Sequence, residues 1–414
     1  ARTDDTTGTT REEMRAFAEL LGGARRGVLV WSMGITQHAC GEDNVRAIVN
    51  LGLARGWVGE EGTGLMPIRG HSGVQGGAEM GCYSTAFPGG AAIDATSASE
   101  LGERWGFEVP PEPGLVAPEM IDAAARGDLD LLFASGGNFI DVLPDPEQVA
   151  ATLGRIPTRV HMDIVASSQM LVDPPPGGEV VILPATTRYE GPGGVTETTT
   201  ERRVVLSPEI AGPRIGEARP EWQVFGELAA RVRPELAEKV RFAGTPAIRR
   251  EIADVVPLYA GIAELHEGGD AFQYGGAHFP AGTDFPTADG KARFAPLEAP
   301  DPAPADGLFA VSTRRGKQFN SMVQERRDAL NGSLRDSILI AAADAERLGL
   351  AEGAAVTLRS PTGELDGFVR LAPIAPGNLQ VHWPEGNVLI GDRRSPEAEI
   401  PDYNARVELL RRDG

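Results

Sequence analysis

Two short apolar runs that break on glycine constrain this chain more than anything else in it. Val28-Leu29-Val30-Trp31 passes through Ser32 and Met33 into Gly34, and Leu131-Leu132-Phe133-Ala134 passes through Ser135 into Gly136-Gly137-Asn138. An apolar run of about four to eight residues closed by turn residues reads as a strand covered on both faces, as in parallel sheets. Arg159 to Val165 and Val180 to Leu183 read as two more such strands. Helices flank the first run. One is expected over residues 9–22, with Thr9 or Thr10 as N-cap and Gly22-Gly23 as the stop. Another is expected over 43–55, where Val45, Ile48, Val49 and Leu53 fall at helical spacing and Gly56 follows. A third, over 221–232, would carry Trp222, Phe225, Leu228 and Ala229 on one face. The alternation predicts α/β layers, and in such layers ligands sit outside the carboxyl ends of the strands.

The stretch from Gly59 to Gly90 is dense in glycine: Gly59, Gly62, Gly64, Gly70, Gly73, Gly76, Gly77, Gly81, Gly89 and Gly90. Such a density implies positive φ or backbone that something approaches closely. A flexible linker is the plainer reading, but Leu65, Met66, Ile68, Val74 and Met80 are unlike a solvated linker. Residues 295–307 are rich in proline and mark a candidate boundary. Beyond it the character changes. Leu308 to Ser312, Ala355 to Arg359, Leu365 to Leu371 and Asn378 to His382 are short β-type runs, with one helix over about 341–348. That pattern predicts a compact β-rich domain of barrel type.

Composition narrows the function classes. The formal net charge is −20, from 39 basic and 59 acidic residues, which argues against general nucleic-acid binding and against an anionic membrane face. An anionic ligand would have to be held by local donors. Cys40 and Cys82 form no CxxC pair, so cysteine alone builds no iron–sulfur or zinc site, and their scarcity suits a reducing cytoplasm. No apolar run approaches the roughly 20 residues of a spanning helix, and no signal-peptide core opens the chain. The chain starts at Ala1 without Met, which suggests a fragment or a processed chain.

Several motifs in order resemble one family. They begin with Ser32-Met33-Gly34-Ile35-Thr36-Gln37-His38, Asp43-Asn44-Val45-Arg46 and Arg55-Gly56. Gly64-Leu65-Met66-Pro67-Ile68-Arg69-Gly70-His71-Ser72-Gly73-Val74-Gln75-Gly76 follows. Leu183-Pro184-Ala185-Thr186-Thr187 with Glu190, Thr198 to Arg203, Gly290-Lys291-Ala292-Arg293-Phe294 and Ser312-Thr313-Arg314 complete the series. Together they resemble the molybdopterin oxidoreductase superfamily, nearest the formate-dehydrogenase alpha chains. The resemblance covers nearly the whole chain. It implies Rossmann-like parallel-sheet α/β layers followed by a C-terminal six-stranded double-psi β-barrel-like domain. It also implies a bis-molybdopterin guanine dinucleotide cofactor carrying molybdenum or tungsten. The division it suggests is 1–72, the C-terminal part of one α/β domain; 73–215, a second α/β cofactor-binding domain; 216–305, a helical or irregular connection; and 306–414, the dinucleotide-binding barrel.

A pyrophosphate needs backbone N–H donors that can come close, which glycine turns at strand ends provide. Met33, Gly34, Gly70, Gly136 and Gly137 are placed for that, and Gln37 and Asn138 suit nucleotide edges or pterin amides. Asp163 could accept from guanine. Ordinary turn chemistry is the alternative for each. Thr313, Arg314, Gly316, Lys317, Gln318 and Asn320 form a polar, basic loop that could meet phosphate or pterin, or could simply be solvated. By position in the resemblance, Asn387, Tyr403 and Asn404 fall in cofactor-lining segments. The resemblance further implies that Arg69 orients a substrate carboxylate, for which a planar guanidinium is suited, and that His71 borders the same site. An ion pair with a nearby acid is the structural alternative for Arg69. No metal ligand is assigned to this chain.

Complete members of the family carry a region ahead of the segment that opens this chain, with the metal-bound residue and often cysteines for a [4Fe–4S] cluster. The implied partners are therefore that region or a complementary chain, a small-molecule substrate, and an electron-transfer subunit. Formate or a related small substrate would give two electrons to the metal centre. A non-catalytic scaffold that keeps the architecture is the alternative. An unrelated nucleotide-binding protein fits poorly, since neither GxGxxG with a following acid nor GxxxxGK[ST] occurs.

Overall fold

The fold is seen in a computed structural model that describes residues 9–70, 73–278, 285–298, 300, 307–318 and 325–412. Helix α1 (Arg11–Gly23) starts in a capping box: the Glu13 amide donates to Thr10 Oγ1 at 3.2 Å and the Thr10 amide to Glu13 Oε2 at 2.8 Å. Strand β1 (Val28–Trp31) leads through a single helical turn, Met33–Thr36, to α2 (Gly41–Ala54). It then pairs in parallel with β2 (Gly64–Pro67), Val28 facing Gly64 and Trp31 facing Pro67. The glycine-dense stretch is thus no linker: it holds β2 and the short helix α3 (Val74–Glu79).

A second parallel sheet has order β3–β4–β5, from Leu131–Ser135, Thr158–Asp163 and Glu179–Pro184. Helices α4 (Ala117–Arg126) and α5 (Pro146–Leu153) close its core, in which Ile121, Ala124, Leu132, Val149, Leu153 and Ile156 are buried together. The run expected as a strand from Arg159 to Val165 ends at Asp163. Ile164 and Val165 lie past the strand end and are more than half exposed, so their hydrophobicity marks the rim of the sheet rather than its interior.

Three antiparallel strands form a separate sheet: β6 (Val195–Thr198), β7 (Arg203–Ser207) and β8 (Ala271–Gln273), with β7 in the middle. Between them in sequence lie α6 (Glu221–Val232) and α7 (Thr245–Val255). Val204, Leu206, Val256, Tyr259, Ile262 and Tyr274 make its core.

The C-terminal part is a closed six-stranded barrel. Its strands are β9 (Phe309–Arg314), β10 (Ser337–Ile340), β11 (Ala355–Arg359), β12 (Glu364–Leu371), β13 (Asn378–His382) and β14 (Asn404–Arg411), and α8 (Ala342–Arg347) follows β10. Around the barrel the order is β9–β13–β10–β12–β11–β14. Two parallel pairs, β9 with β13 and β10 with β12, are joined by antiparallel ones, which is the expected double-psi-like arrangement. Val311, Ile338, Ile340, Val356, Leu358, Val369 and Val407 fill the interior. Among the described residues no helix is long and apolar enough to cross a membrane.

Polar clamps seat the barrel on the α/β layers. Asn387 Nδ2 donates to the carbonyls of Asp141, Val142 and Leu143 at 3.0, 3.4 and 3.3 Å, and the Tyr403 hydroxyl donates to the Val142 carbonyl at 2.7 Å. Arg394 grips Asp122 with both terminal nitrogens, at 2.7 and 3.1 Å. Both cysteines are free thiols.

Candidate functional site

Several of the residues singled out in sequence lie at the carboxyl ends of strands in two separate parallel sheets. Ser32, just past β1, donates from Oγ to the Ile68 carbonyl at 3.1 Å and so ties the ends of β1 and β2 together. Met33 and Gly34 then open the helical turn, with Met33 about two-fifths exposed. Among the described residues a Cβ placed on Gly34 would meet no atom within 4 Å, and one placed on Gly70 would meet only Met33 Cε, at 3.9 Å. Met33, Gly34, Arg69 and Gly70 therefore share one rim, although β1 and β2 are far apart in sequence.

Arg69 follows β2 with its side chain exposed. Its Nε donates to Gln75 Oε1 at 3.0 Å, and its amide to Thr200 Oγ1 at 3.4 Å. The two terminal nitrogens make no hydrogen bond or ion pair among the described residues, so the alternative of an ion pair with a neighbouring acid does not occur there. His71 and Asn320 lie outside the described residues.

At the end of β3 the chain turns on Gly136 and Gly137, with φ of 71° and 74°, a region that an L side chain enters only with strain. No atom of the described residues lies within 4 Å of a Cβ built on either. The turn is braced from behind. The Gly136 amide donates to the Met162 carbonyl at 2.8 Å. Gln169, almost wholly buried, donates from Nε2 to the Gly137 carbonyl at 2.9 Å and accepts from the Phe139 amide at 2.9 Å. Buried Arg159 in turn donates to the Gln169 carbonyl at 2.9 Å. Asn138 caps the next helical turn through the Ile140 amide and donates to Asp141 Oδ2 and Ser168 Oγ. Asp163, at the end of β4, accepts from the Ile164 amide at 2.7 Å.

In the barrel, Arg314 ends β9 and pairs with Asp328 at 2.9 Å, so this cation is already matched. Asp328 is fully buried. Burial pushes its carboxyl up, but the amides of Leu330 and Lys317 and the Arg314 charge outweigh this and hold it below the usual carboxylate range. Gly316, with φ of 74°, has no room for a side chain: a Cβ would lie 2.2 Å from Gln318 Oε1. Gln318 is buried with Nε2 at 3.1 Å from His382 Nε2, while its Oε1 has no hydrogen-bond partner among the described residues. Thr313 touches the Gly386 position with its methyl, and Lys317 keeps an exposed side chain.

The remaining predicted residues sit where the barrel meets the α/β layers. The Gln37 carbonyl accepts from the Tyr403 amide at 3.4 Å, and Asn404 Nδ2 lies 2.9 Å from His38 Nδ1 and 2.6 Å from Asp402 Oδ1. Burial pushes the Tyr403 phenol up to about 12. Asn387 donates its amide to three carbonyls, and its Oδ1 is buried without a partner among the described residues. Sequence reasoning passed over Gln169, Gln75, Glu79 and Asp328. Their roles depend on partners about 30 residues away for Gln169 and on hydrogen bonds that no spacing announces.

These residues fit a large phosphorylated heterocycle. Open left-handed glycines at a strand end leave backbone that a phosphate can approach, and buried oxygens on Gln318 and Asn387, without partners among the described residues, await a donor. Among the described residues no group of three or more His, Cys, Asp or Glu could hold a metal ion by itself. A cleft of about 670 Å3 opens elsewhere, between α4 and α5 on one side and Thr362, Asp392 and Arg394 on the other. None of the residues predicted from sequence lines it, and the Arg394–Asp122 ion pair lies on its wall. The open glycines, not this cleft, locate the candidate site.

Comparison with known proteins agrees with this geometry. Residues 12–231 match the family described as molybdopterin oxidoreductase, and residues 308–407 match the Molydopterin dinucleotide binding domain. The chain is 28% identical over 440 residues to the probable oxidoreductase YjgC of Bacillus subtilis (strain 168), covering 99% of this chain and 43% of that protein. It is 30% identical over 383 residues to the F420-dependent formate dehydrogenase subunit alpha of Methanocaldococcus jannaschii, covering 88% and 54%. Protein YdeP of Escherichia coli (strain K12) is 29% identical over 429 residues, covering 97% and 55%. The chain thus spans about half the length of these relatives. Among solved structures, acetylene hydratase from Pelobacter acetylenicus shares the fold with a TM-score of 0.66 at 16% identity, covering 99% of this chain and 64% of that one.

Proposed function

Since the chain belongs to the molybdopterin oxidoreductase family, we propose that it is the cofactor-holding part of a formate-dehydrogenase-like enzyme that oxidises formate or a related small carboxylate. The group it would hold is a pair of molybdopterin guanine dinucleotides with molybdenum or tungsten. When bound, that group supplies the two-electron chemistry. The residues of this chain supply binding, orientation and electrostatics. Gly34, Gly70, Gly136 and Gly137 offer the open backbone for pyrophosphate, with Met33, Gln37, Asn138 and Asp163 beside them for pterin or guanine edges. The barrel contributes Thr313, Arg314, Gly316, Lys317, Gln318 and Asn320, with Asn387, Tyr403 and Asn404 at the seam. His71 borders the substrate.

The single observation that carries this reading is the free end of Arg69. A guanidinium held at Nε alone among the described residues, on the rim of the strand ends, presents two parallel N–H donors that match a carboxylate. In a site closed to water that charge favours formate over neutral analogues of its size. The reading includes a complementary segment or chain that completes the metal site, an electron-transfer partner, and a cytoplasmic setting consistent with two free thiols.

Arg69→Ala in the intact enzyme tests it. Turnover of formate with an artificial electron acceptor should fall by about 10²–10³-fold, the scale for losing a preorganised charge donor. Pterin and metal content should stay near those of the unaltered protein. Normal turnover would remove Arg69 from the active site, and absence of pterin and metal from the unaltered protein would remove the cofactor.

A further inference from the structure

Behind Arg69 lies a chain of hydrogen bonds that ends in a carboxylate held by two tyrosines. Gln75 and Glu79 stand one turn apart on α3, and Gln75 Nε2 donates to Glu79 Oε1 at 2.5 Å. Tyr274 donates its hydroxyl to the same oxygen, and Tyr259 donates to Glu79 Oε2. Thr198 Oγ1 lies 3.0 Å from the Tyr259 hydroxyl and roots the cluster in β6. The two phenol rings stack, with centroids 4.9 Å apart. Their acidity is pushed well below that of a free phenol by burial first and the Glu79 carboxylate second, so both remain donors.

We propose that Glu79 is the positioning residue for Arg69, acting through Gln75 to aim the guanidinium at the substrate carboxylate. The inference rests on the reading of Arg69 given above, but its logic is one of donors and acceptors. An ionised carboxylate only accepts, so Gln75 must turn its NH2 to Glu79 and its oxygen to Arg69. That oxygen takes the Arg69 Nε–H, and this leaves the Nη1–Nη2 end as the fork a carboxylate can reach. The tyrosines fix the carboxylate so that neither it nor Gln75 can swing away. None of these four residues needs to touch substrate. Were Glu79 an amide, it could offer a donor instead, and Gln75 could flip and present its own N–H groups to the guanidinium. The Arg69 guanidinium would then lose the acceptor it has among the described residues.

The test uses Glu79→Gln and, as a variant that spares the tyrosine cluster, Gln75→Leu, each in the intact enzyme. The first readout needs no turnover: the rate at which phenylglyoxal modifies Arg69, followed by peptide mass spectrometry. It should rise several-fold in both variants, because a released guanidinium samples more orientations. The second readout is formate oxidation, where KM should rise about tenfold, the equivalent of one charge-assisted hydrogen bond, with a smaller change in kcat. Pterin content should be unchanged, and Glu79→Asp, which keeps the acceptor, should recover part of the loss. Unaltered Arg69 reactivity in both variants overturns the proposal. If Arg69→Ala abolishes turnover while Glu79→Gln and Gln75→Leu leave KM and reactivity alone, the positioning role fails and the substrate role of Arg69 stands. If Arg69→Ala leaves turnover normal, the substrate role fails, and the reactivity assay still decides whether Glu79 orients Arg69.

Discussion

Gly76 and Gly136 show how one residue type serves two ends. Gly76 sits inside α3 against β6, and a Cβ there would lie 2.8 Å from Thr198 Oγ1 and 3.2 Å from Thr198 Cβ. Its bareness is spent on helix–strand packing. Gly136 is the reverse case: nothing crowds it, and its φ of 71° is what glycine provides. In the sequence the two were indistinguishable, since a glycine announces close approach or positive φ without saying which. Gly76→Ala should therefore destabilise by about 1–3 kcal/mol, the usual cost of overpacking, and Thr198→Ala in the same chain should recover part of it. Thermal unfolding of the single and double variants checks this, and equal midpoints for wild type and Gly76→Ala would refute the close approach. The same limit applied to Arg69. Its residue type suggested a carboxylate partner, while Gln75, Glu79, Tyr259 and Tyr274, spread from 75 to 274, carried no shared pattern to link them to it.

Some elements with a period of their own were legible, while others, α4, α5 and α7 among them, went unread along with elements that depend on a neighbour. The helix over 221–232 and the strands Ala355–Arg359 and Asn378–His382 have the bounds their patterns suggested. Strand β10 was missed because Ser337–Ile340 is only four residues, buried throughout, and runs into α8 with a single residue between. Strands β6, β7 and β8 were missed because a small antiparallel sheet assembled from residues 195–207 and 271–273 is a product of tertiary pairing. The seam between barrel and sheet is another such product. Asn387, Tyr403 and Asn404 stood out in sequence for the cofactor, and Asn387 and Tyr403 are engaged in holding the segment that follows the Gly136–Gly137 turn. Asn387→Asp sets a carboxylate against three carbonyl acceptors. It should cost about 3 kcal/mol, as for a buried charge without a donor. Limited proteolysis should then release the barrel from the α/β layers at a protease level that leaves the wild type whole. An unchanged digestion pattern would mean that Arg394 and Tyr403 suffice to hold the seam.

At the scale of the molecule, two buried histidines in different units share one pH window. His161 lies in β4 with neither ring nitrogen hydrogen-bonded among the described residues, and His382 lies in β13 against Gln318. Burial first, then Arg159 for His161 and Arg335 and Arg314 for His382, lowers both below the ordinary histidine value. In the unfolded chain each would titrate near about 6.5, so on acidification the unfolded state takes up protons before the folded one does. The stability they contribute is whole above about pH 6.5 and drains away as pH falls through their lowered native values. Asp328 can be set aside between pH 7 and 5, because its carboxyl is held below the usual carboxylate range and titrates only in stronger acid. Relief of the net negative charge on acidification acts nearly alike on the wild type and on the histidine variants, so the comparison between them isolates the two histidines. The unfolding midpoint should therefore drop from pH 7 to pH 5 at fixed ionic strength. His161→Leu should flatten that slope and, by removing a buried ring without partners, add about 1–2 kcal/mol at neutral pH. His382 has a partner to strand, so its replacement would flatten the slope at a cost in stability. A His161→Leu variant that loses stability with acid as steeply as the wild type would place the sensitivity in the barrel alone.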